Sequence, residues 1–419
     1  MINDSLLSRA VDRLAAEWRR SDHSYSNYYD RRVAPSQTLA SIKPHLAGLG
    51  ITRIGLVTGL DNLEIPVAIA TRPNSYTLSV FQGKGLDNDS AMVSAAMEAL
   101  ETRLAEIRPN AFLTATVSEM VQQGAPCIDL ASTARCNPHD IGDDPLCWVE
   151  GLDLVTNSRV YVPWPLVGMD HRFACPGFEQ SSDGLASGNS AAEAILHGVC
   201  ELVERDAWTL AQLASISELS ERIVDPLSME DGVLNIILAR IWAAGMRLVL
   251  VDVTTDIAIP AFIAMLVPTE KRPKLRRSDI CGGCGCHPDP ARAALKAILE
   301  AAQSRLTAIA GSRDDFSSHI YQEARAEHAL LDFVALAEQR GKPHGHPVQQ
   351  QSSIDEISRG LVGNISAIGV RQIIAVPLQD EGLPVSVVRM IVPGLEVDIH
   401  GQSVQLGPRA AAALRRTRH

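Results

Sequence analysis

The stretch that most constrains this chain is ASGNSAAEAILHGVCELVERDAW, residues 186–208. It reads as a helix. Glu193, His197, Glu201 and Glu204 follow at spacings of four, four and three, which puts them on one side of it. Ala194, Ile195, Leu196, Val199, Leu202 and Val203 make most of the remaining surface apolar. A buried carboxylate is costly unless it meets a metal, a cation or a hydrogen-bond donor. The local alternative is ordinary: Ser190 and Glu193 form a capping box, and Glu201 and Glu204 face water beside Arg205.

Two further stretches repeat the anomaly. A helix from Ser90 carries Glu98 and Glu101, with Arg103 nearby; another, capped by Asp289 and ended by Gly311, carries Lys296, Glu300 and Gln303 with Arg305 close by. All three are Ala-rich, and Gly-bearing segments precede them: FQGKG, GLASGNS and CGGCGCHPD. Any one acid pair alone reads as a solvated face. Three together point to an ATP–magnesium site. Helix starts after Gly loops attract phosphates, paired carboxylates suit Mg2+, and Lys84, Lys296 and Arg305 would neutralise phosphate charge. The segment GKG is not a Walker A loop, so an ordinary P-loop fold is not expected.

Bulk properties set limits. With 419 residues, 46% hydrophobic and 21% charged, the chain can bury a large core. A net charge of -11 argues against a nucleic-acid-coating protein. The N-terminus lacks a signal-peptide pattern, and no run approaches the roughly 20 apolar residues of a membrane span. A soluble, cytoplasmic chain with neither nucleic-acid nor membrane partner is expected. Cys281, Cys284 and Cys286, followed by His287, offer an incomplete zinc set, so the plainer expectation is a Gly-rich turn before a helix.

Periodicity predicts an alternation of helices and strands. Residues 1–30 give an amphipathic helix and linker, and residues 36–49 a helix. Two strands follow around a turn at Asp61–Asn62, then a strand into FQGKG and a helix capped by Asp89 or Ser90. A hairpin turns at residues 156–158. Helix, strand, strand are expected over 233–265, helices over 321–341 and 351–368, final strands in RQIIAVPL and VSVVRMIVP, and a basic tail.

The segments GKGLDNDSAMVSAAMEALE, ASGNSAAEAILHGVCELVERDAW and GCGCHPDPARAALKAILEAAQSRLTAIAGSRDD resemble the three ATP-site segments of the YcaO-domain family. The resemblance implies a mixed α/β fold, with mixed sheets flanked by helices and an ATP site without a P-loop. It implies an N-terminal helix and linker over 1–35, a YcaO domain over 36–400 and a basic tail over 401–419. By resemblance Glu98, Glu101, Glu201 and Glu204 would hold Mg2+. Asn189 and Glu193 would contact ATP, Gln303 and Arg305 would sit at the phosphates, and Arg31 or Arg32, near Thr38, would make an early nucleotide contact. Lys84 joins this set, and Glu204 and Arg305 are the expected catalytic pair. Such proteins use ATP to activate a peptide amide by phosphorylating its tetrahedral oxyanion.

TRIGLVTGLDNLEIPVAIATRP and VPGLE resemble the subgroup that works with a TfuA protein, and the tail GPRAAAALRRTRH is not Pro-rich. The resemblance therefore implies thioamide formation in a ribosomally made precursor peptide, with a TfuA-like or other sulfur-delivery partner. It also implies a homodimer. Azoline formation on Cys, Ser or Thr is the second expectation, and a non-catalytic scaffold the third. His197 and Cys200 are read as lining or packing residues.

Overall fold

Glycine and alanine decide how this molecule is built. The computed structural model describes residues 6–20, 30–108, 112–173, 175–270, 279–315, 321, 333, 341–347, 353–378, 382–397 and 406–416. Helices α1 (Leu6–Arg19) and α2 (Pro35–Ile42) come first, then β1 (Arg53–Leu56), β2 (Val67–Thr71), β3 (Val80–Lys84) and α3 (Asn88–Ala105). Next are β4 (Leu113–Ala115), α4 (Val117–Gln122), the hairpin β5 (Leu146–Asp153) and β6 (Ser158–Pro163), β7 (Leu185–Gly188) and α5 (Ala191–Gln212). The chain continues through α6 (Ile216–Ser220), β8 (Ile223–Val224), α7 (Gly232–Ala243), β9 (Met246–Asp252), β10 (Ala261–Pro268), β11 (Cys281–Cys286) and α8 (Pro290–Ala310). It closes with α9 (Ile354–Ala367), β12 (Ile374–Pro377), β13 (Ser386–Ile391) and α10 (Pro408–Arg416).

The fold is mixed α/β, as expected. The strands form sheets ordered β1-β2-β3, β11-β10-β9-β8 and β4-β5-β12-β13-β7, with β6 on β5. Every pairing between these strands is antiparallel, and parallel geometry occurs in the isolated bridges Cys127–Tyr161 and Val224–Lys342. Helix α5 lies between the second and third sheets. Its Val199, Leu202 and Val203 share one core with Val249 and Val251 of β9 and with Val388 and Met390 of β13. Helices α7 and α8 cover the other face of the second sheet, and α3 packs on the first. Val11 and Leu14 of α1 join the core of α5.

The predicted Gly loops are strands. In β3, a Cβ on Gly83 would lie 2.0 Å from the Ala95 nitrogen of α3. In β11, one on Gly285 would lie 2.2 Å from the Ala293 oxygen of α8. These glycines exist so that a helix can lie directly on the strand that feeds it, and the alanines are the matching small surface. CGGCGC is therefore a buried strand rather than a turn, and its three cysteines are strung along it.

Smaller corrections have local causes. Asp87, not Asp89 or Ser90, caps α3: its carboxylate takes the Ser90 N–H and the Ser90 hydroxyl returns to it. Helix α2 stops at Ile42 and tightens into a 3-10 turn around Pro44. The helix expected over 321–341 lies outside the described residues except at Tyr321, Phe333 and Gly341. Among the described residues no helix is long and apolar enough to cross a membrane.

Candidate active site

Three strand–helix units, β3–α3, β7–α5 and β11–α8, deliver the charged side chains to one cleft. The helix starts themselves are not open anion sites, contrary to expectation. Asp87 occupies the Ser90 N–H, Asp289 occupies the Ala291 and Arg292 N–H groups, and on α5 Glu17 and Ser190 occupy the Ala191 and Glu193 N–H groups.

The acids do converge. Glu101 of α3 accepts the Ser187 hydroxyl from β7. Burial, with Glu98 and Glu201 nearby, pushes its carboxyl up to about 8. Burial raises Glu98 too, against Arg313, the Gln82 N–H at 3.1 Å and Lys84. Glu201 reaches about 8 through burial, offset by Arg205 and raised again by Asp183 and Glu204; it accepts the Gly184 N–H at 3.2 Å. Glu204 reaches about 7, again from burial and then from Glu300. Glu101 is buried, whereas Glu201 and Glu204 are ringed by protein yet open to solvent, with 21% and 12% of their side-chain surface exposed. They line a cleft.

Two cations thread the cluster. Arg205 lies 3.3 Å from Asp183, 3.9 Å from Glu201 and 3.7 Å from Glu204. Lys84, at the end of β3, pairs with Glu300 at 2.7 Å. Burial would raise Glu300, but Lys84 and Arg205 hold it below the ordinary carboxylate range. Sequence reasoning noticed Glu300 without assigning it. Its spacing from Gln303 copies the acid pairs and was the available signal.

Glu193 is in a different state. Its carboxylate accepts the Arg32 N–H at 2.8 Å, the Asn189 N–H and Nδ2 both at 2.9 Å, and Arg31 Nη1 at 3.3 Å. The Ser190–Glu193 box is thus half made: Ser190 caps, while Glu193 turns to other donors. Asn189 also accepts the Thr38 hydroxyl at 2.8 Å. The Arg32 side chain leaves this group for Asp355 of α9, and Arg31 is the one that reaches Glu193. Asp30 anchors the segment, 2.8 Å from His287 Nε2 and paired with Arg292; burial opposes ionisation, but these partners hold its carboxyl at about 2.

The remaining expected residues are placed less centrally. Gln303 is half-buried on α8, one turn beyond Glu300. Arg305 pairs at 3.1 Å with Asp61, whose side chain is 2% exposed, and no ion pair among the described residues joins it to the acid cluster. His197 lines the cleft, and Cys200 packs in the core that also holds Cys286.

This donor set fits Mg2+. It is all oxygen, short of donors, and acid-rich. Among the described residues no three His, Cys, Asp or Glu side chains cage an ion by themselves.

Comparison with known proteins agrees. The model of the YcaO cyclodehydratase, ATP- and Mg2+-binding family matches residues 82–396. An uncharacterized protein in the tfuA 3′ region of Rhizobium leguminosarum bv. trifolii is 56% identical, over 97% of this chain and 98% of its own length. An uncharacterized protein of Methanothermobacter thermautotrophicus is 31% identical over 88% and 96%. YcaO from Methanopyrus kandleri bound with AMPPCP and Mg2+ superposes with a TM-score of 0.65 at 24% identity, covering 90% of this chain and 97% of that one. A heterocyclase in complex with substrate and cofactor gives 0.74 at 20% identity, covering 94% of this chain and 55% of that one. With a family model matched across all three strand–helix units and a relative identical at more than half its positions, the chain belongs to the YcaO family of ATP- and Mg2+-binding proteins.

Proposed function

We propose that this protein uses ATP to phosphorylate a backbone amide oxygen in a ribosomally made precursor peptide, and that sulfide then replaces that oxygen to leave a thioamide. The observation that carries the reading is the gathering of under-partnered carboxylates from α3 and α5 in one cleft, beside the Lys84–Glu300 pair of β3 and α8. Glu98, Glu101, Glu201 and Glu204, with Glu300, hold Mg2+, which neutralises charge developing on the transferred phosphoryl group. Lys84 and Arg205 keep the acids apart and face the phosphates. Asn189, Glu193, Arg31, Arg32 and Thr38 form the nucleoside end. Gln303 lies toward the phosphates. Arg305, paired through Nε with Asp61 of the β1–β2 connection, is the further phosphate contact on α8.

The thioamide assignment, with a TfuA-type protein as sulfur-delivery partner, is supported by the 56% identical relative being named for its place beside tfuA. Azoline formation is the second reading, favoured by the family's description as cyclodehydratase. A scaffold without turnover would have no use for the unbalanced acids, which cost stability when no cation is bound. Co-expression with a precursor peptide and mass spectrometry tests all three. A gain of about 16 Da marks oxygen-to-sulfur exchange, a loss of about 18 Da cyclodehydration, and an unchanged mass overturns the enzyme reading.

A further inference from the structure

His197 stands midway along the acidic face of α5, one turn after Glu193 and one turn before Glu201. It is exposed although protein crowds around it, which places its ring inside the cleft. Among the described residues the imidazole has no hydrogen bond or ion pair. Of the acids on this face, Glu193 is held by four donors and Glu300 of α8 by Lys84, while Glu201 and Glu204 share Arg205 at 3.9 and 3.7 Å and are the proposed metal ligands.

We infer that His197 is the proton acceptor of the reaction, taking the proton from the nucleophile's sulfur. The inference rests on the proposed function and assigns the one proton which that chemistry must move. Hydrosulfide bonds to the amide carbon through a lone pair, and the carbonyl π pair moves to oxygen. That oxygen takes the terminal phosphoryl group of ATP, releasing ADP. The S–H proton passes to His197, the freed sulfur pair closes the C=S bond, and the C–O bond breaks. Departing phosphate collects the proton. Amide, HS− and ATP4− give thioamide, ADP3− and HPO42−, with no oxidant or reductant. In azoline formation a thiol or hydroxyl proton would take the same route.

The surroundings suit this role. Burial, then Lys296 of α8, Arg31 of the segment before α2 and Lys84 of β3, push the imidazole well below its usual titration range. It is therefore neutral at neutral pH and keeps a free lone pair.

The test compares His197→Ala and His197→Gln with the parent, using a pooled synthetic peptide library, sodium sulfide and Mg·ATP. Peptide-dependent phosphate release should fall about 100-fold or more in both variants. Mg·AMPPCP affinity by calorimetry should change by less than about threefold, and added imidazole should restore part of the alanine variant's rate. A rate within about threefold of the parent overturns the inference. So does an equal loss of Mg·AMPPCP affinity, which would make His197 a nucleotide contact. Glu204→Gln separates the two levels. If it leaves the rate intact, the reading of the site fails; if it is dead while His197→Ala is active, only this inference fails.

Discussion

Glu101 lies on α3 and Glu106 caps its C-terminus; both are buried, and their partners differ. Glu106 pairs with Arg72, accepts the Ser75 hydroxyl at 2.9 Å and the Tyr76 N–H at 2.8 Å, and has Arg103 at 3.8 Å. Glu101 accepts one hydroxyl, from Ser187. Helix α5 repeats the contrast, with Glu193 surrounded by donors and Glu201 served by one N–H and a cation at 3.9 Å. A carboxylate whose lone pairs are filled belongs to the scaffold. One left short of donors destabilises the empty protein and is relieved when a divalent cation arrives. Donor count thus separates two classes of glutamate that look alike in sequence.

The strongest way to break this division is to neutralise one acid of each class. Glu204→Gln or Glu101→Gln should lower ATP turnover about 10²–10³-fold, while the metal-free protein melts no lower than the parent. Glu106→Gln should do the reverse. It leaves Arg72 buried and under-partnered, so urea unfolding should show a loss of about 3–5 kcal/mol, with Mg·AMPPCP affinity unchanged. If Glu106→Gln abolished metal–nucleotide binding and Glu101→Gln did not, the division would be wrong. Glu193→Gln sits between them. It loosens Asn189, Arg31 and the Arg32 backbone, and should weaken nucleotide binding about 10–100-fold without altering the Mg2+ requirement.

A smaller effect probes the frame that holds both classes. Gly285→Ala forces a methyl group against the Ala293 oxygen and should cost about 1–3 kcal/mol in thermal or urea unfolding. Parent-like stability would show that α8 can lift off β11.

How much could be read beforehand follows from the range of each interaction. Periodicity and capping are local, so α3, α5, α8, the β5–β6 hairpin and β12–β13 were legible, as were the acid pairs at i, i+3. The glycines were misassigned because a Gly-rich strand under an Ala-rich helix has the composition of a loop. Only the facing helix, distant from the strand in no way but orientation, explains FQGKG and CGGCGC. Donor counts were illegible because the donors come from elsewhere in the chain. Ser187 reaches Glu101, Arg31 reaches Glu193, and Asp61 draws Arg305 away from the acids. Glu300 stands out by its spacing from Gln303, but its role was illegible because Lys84, its partner, lies 216 positions away.

The mildest test sharpens the comparison through pH. Glu101 and Glu201 stand at about 8 and Glu204 at about 7, against an ordinary value of 4.5. A raised carboxyl favours the folded state while protonated. Its contribution is therefore complete below the unfolded value and is lost as pH rises through the folded one. In EDTA the melting temperature should decline from about pH 5 to about pH 8, by a few degrees for a chain of this size. Mg·AMPPCP should remove the decline, because metal rather than a proton then balances the acids, so the stabilisation it confers grows with pH. Asp206, raised to about 6 by burial against Arg409, adds a slope of the same sign at the acid end. Asp30, at about 2, acts only below this window. The limb between about pH 6.5 and 8 thus belongs to the cleft acids, and Glu101→Gln or Glu201→Gln should flatten it while Glu106→Gln leaves it in place. A metal-free melting curve already flat across that limb would mean that the cleft acids are as fully paired as Glu106, and the two classes would collapse into one.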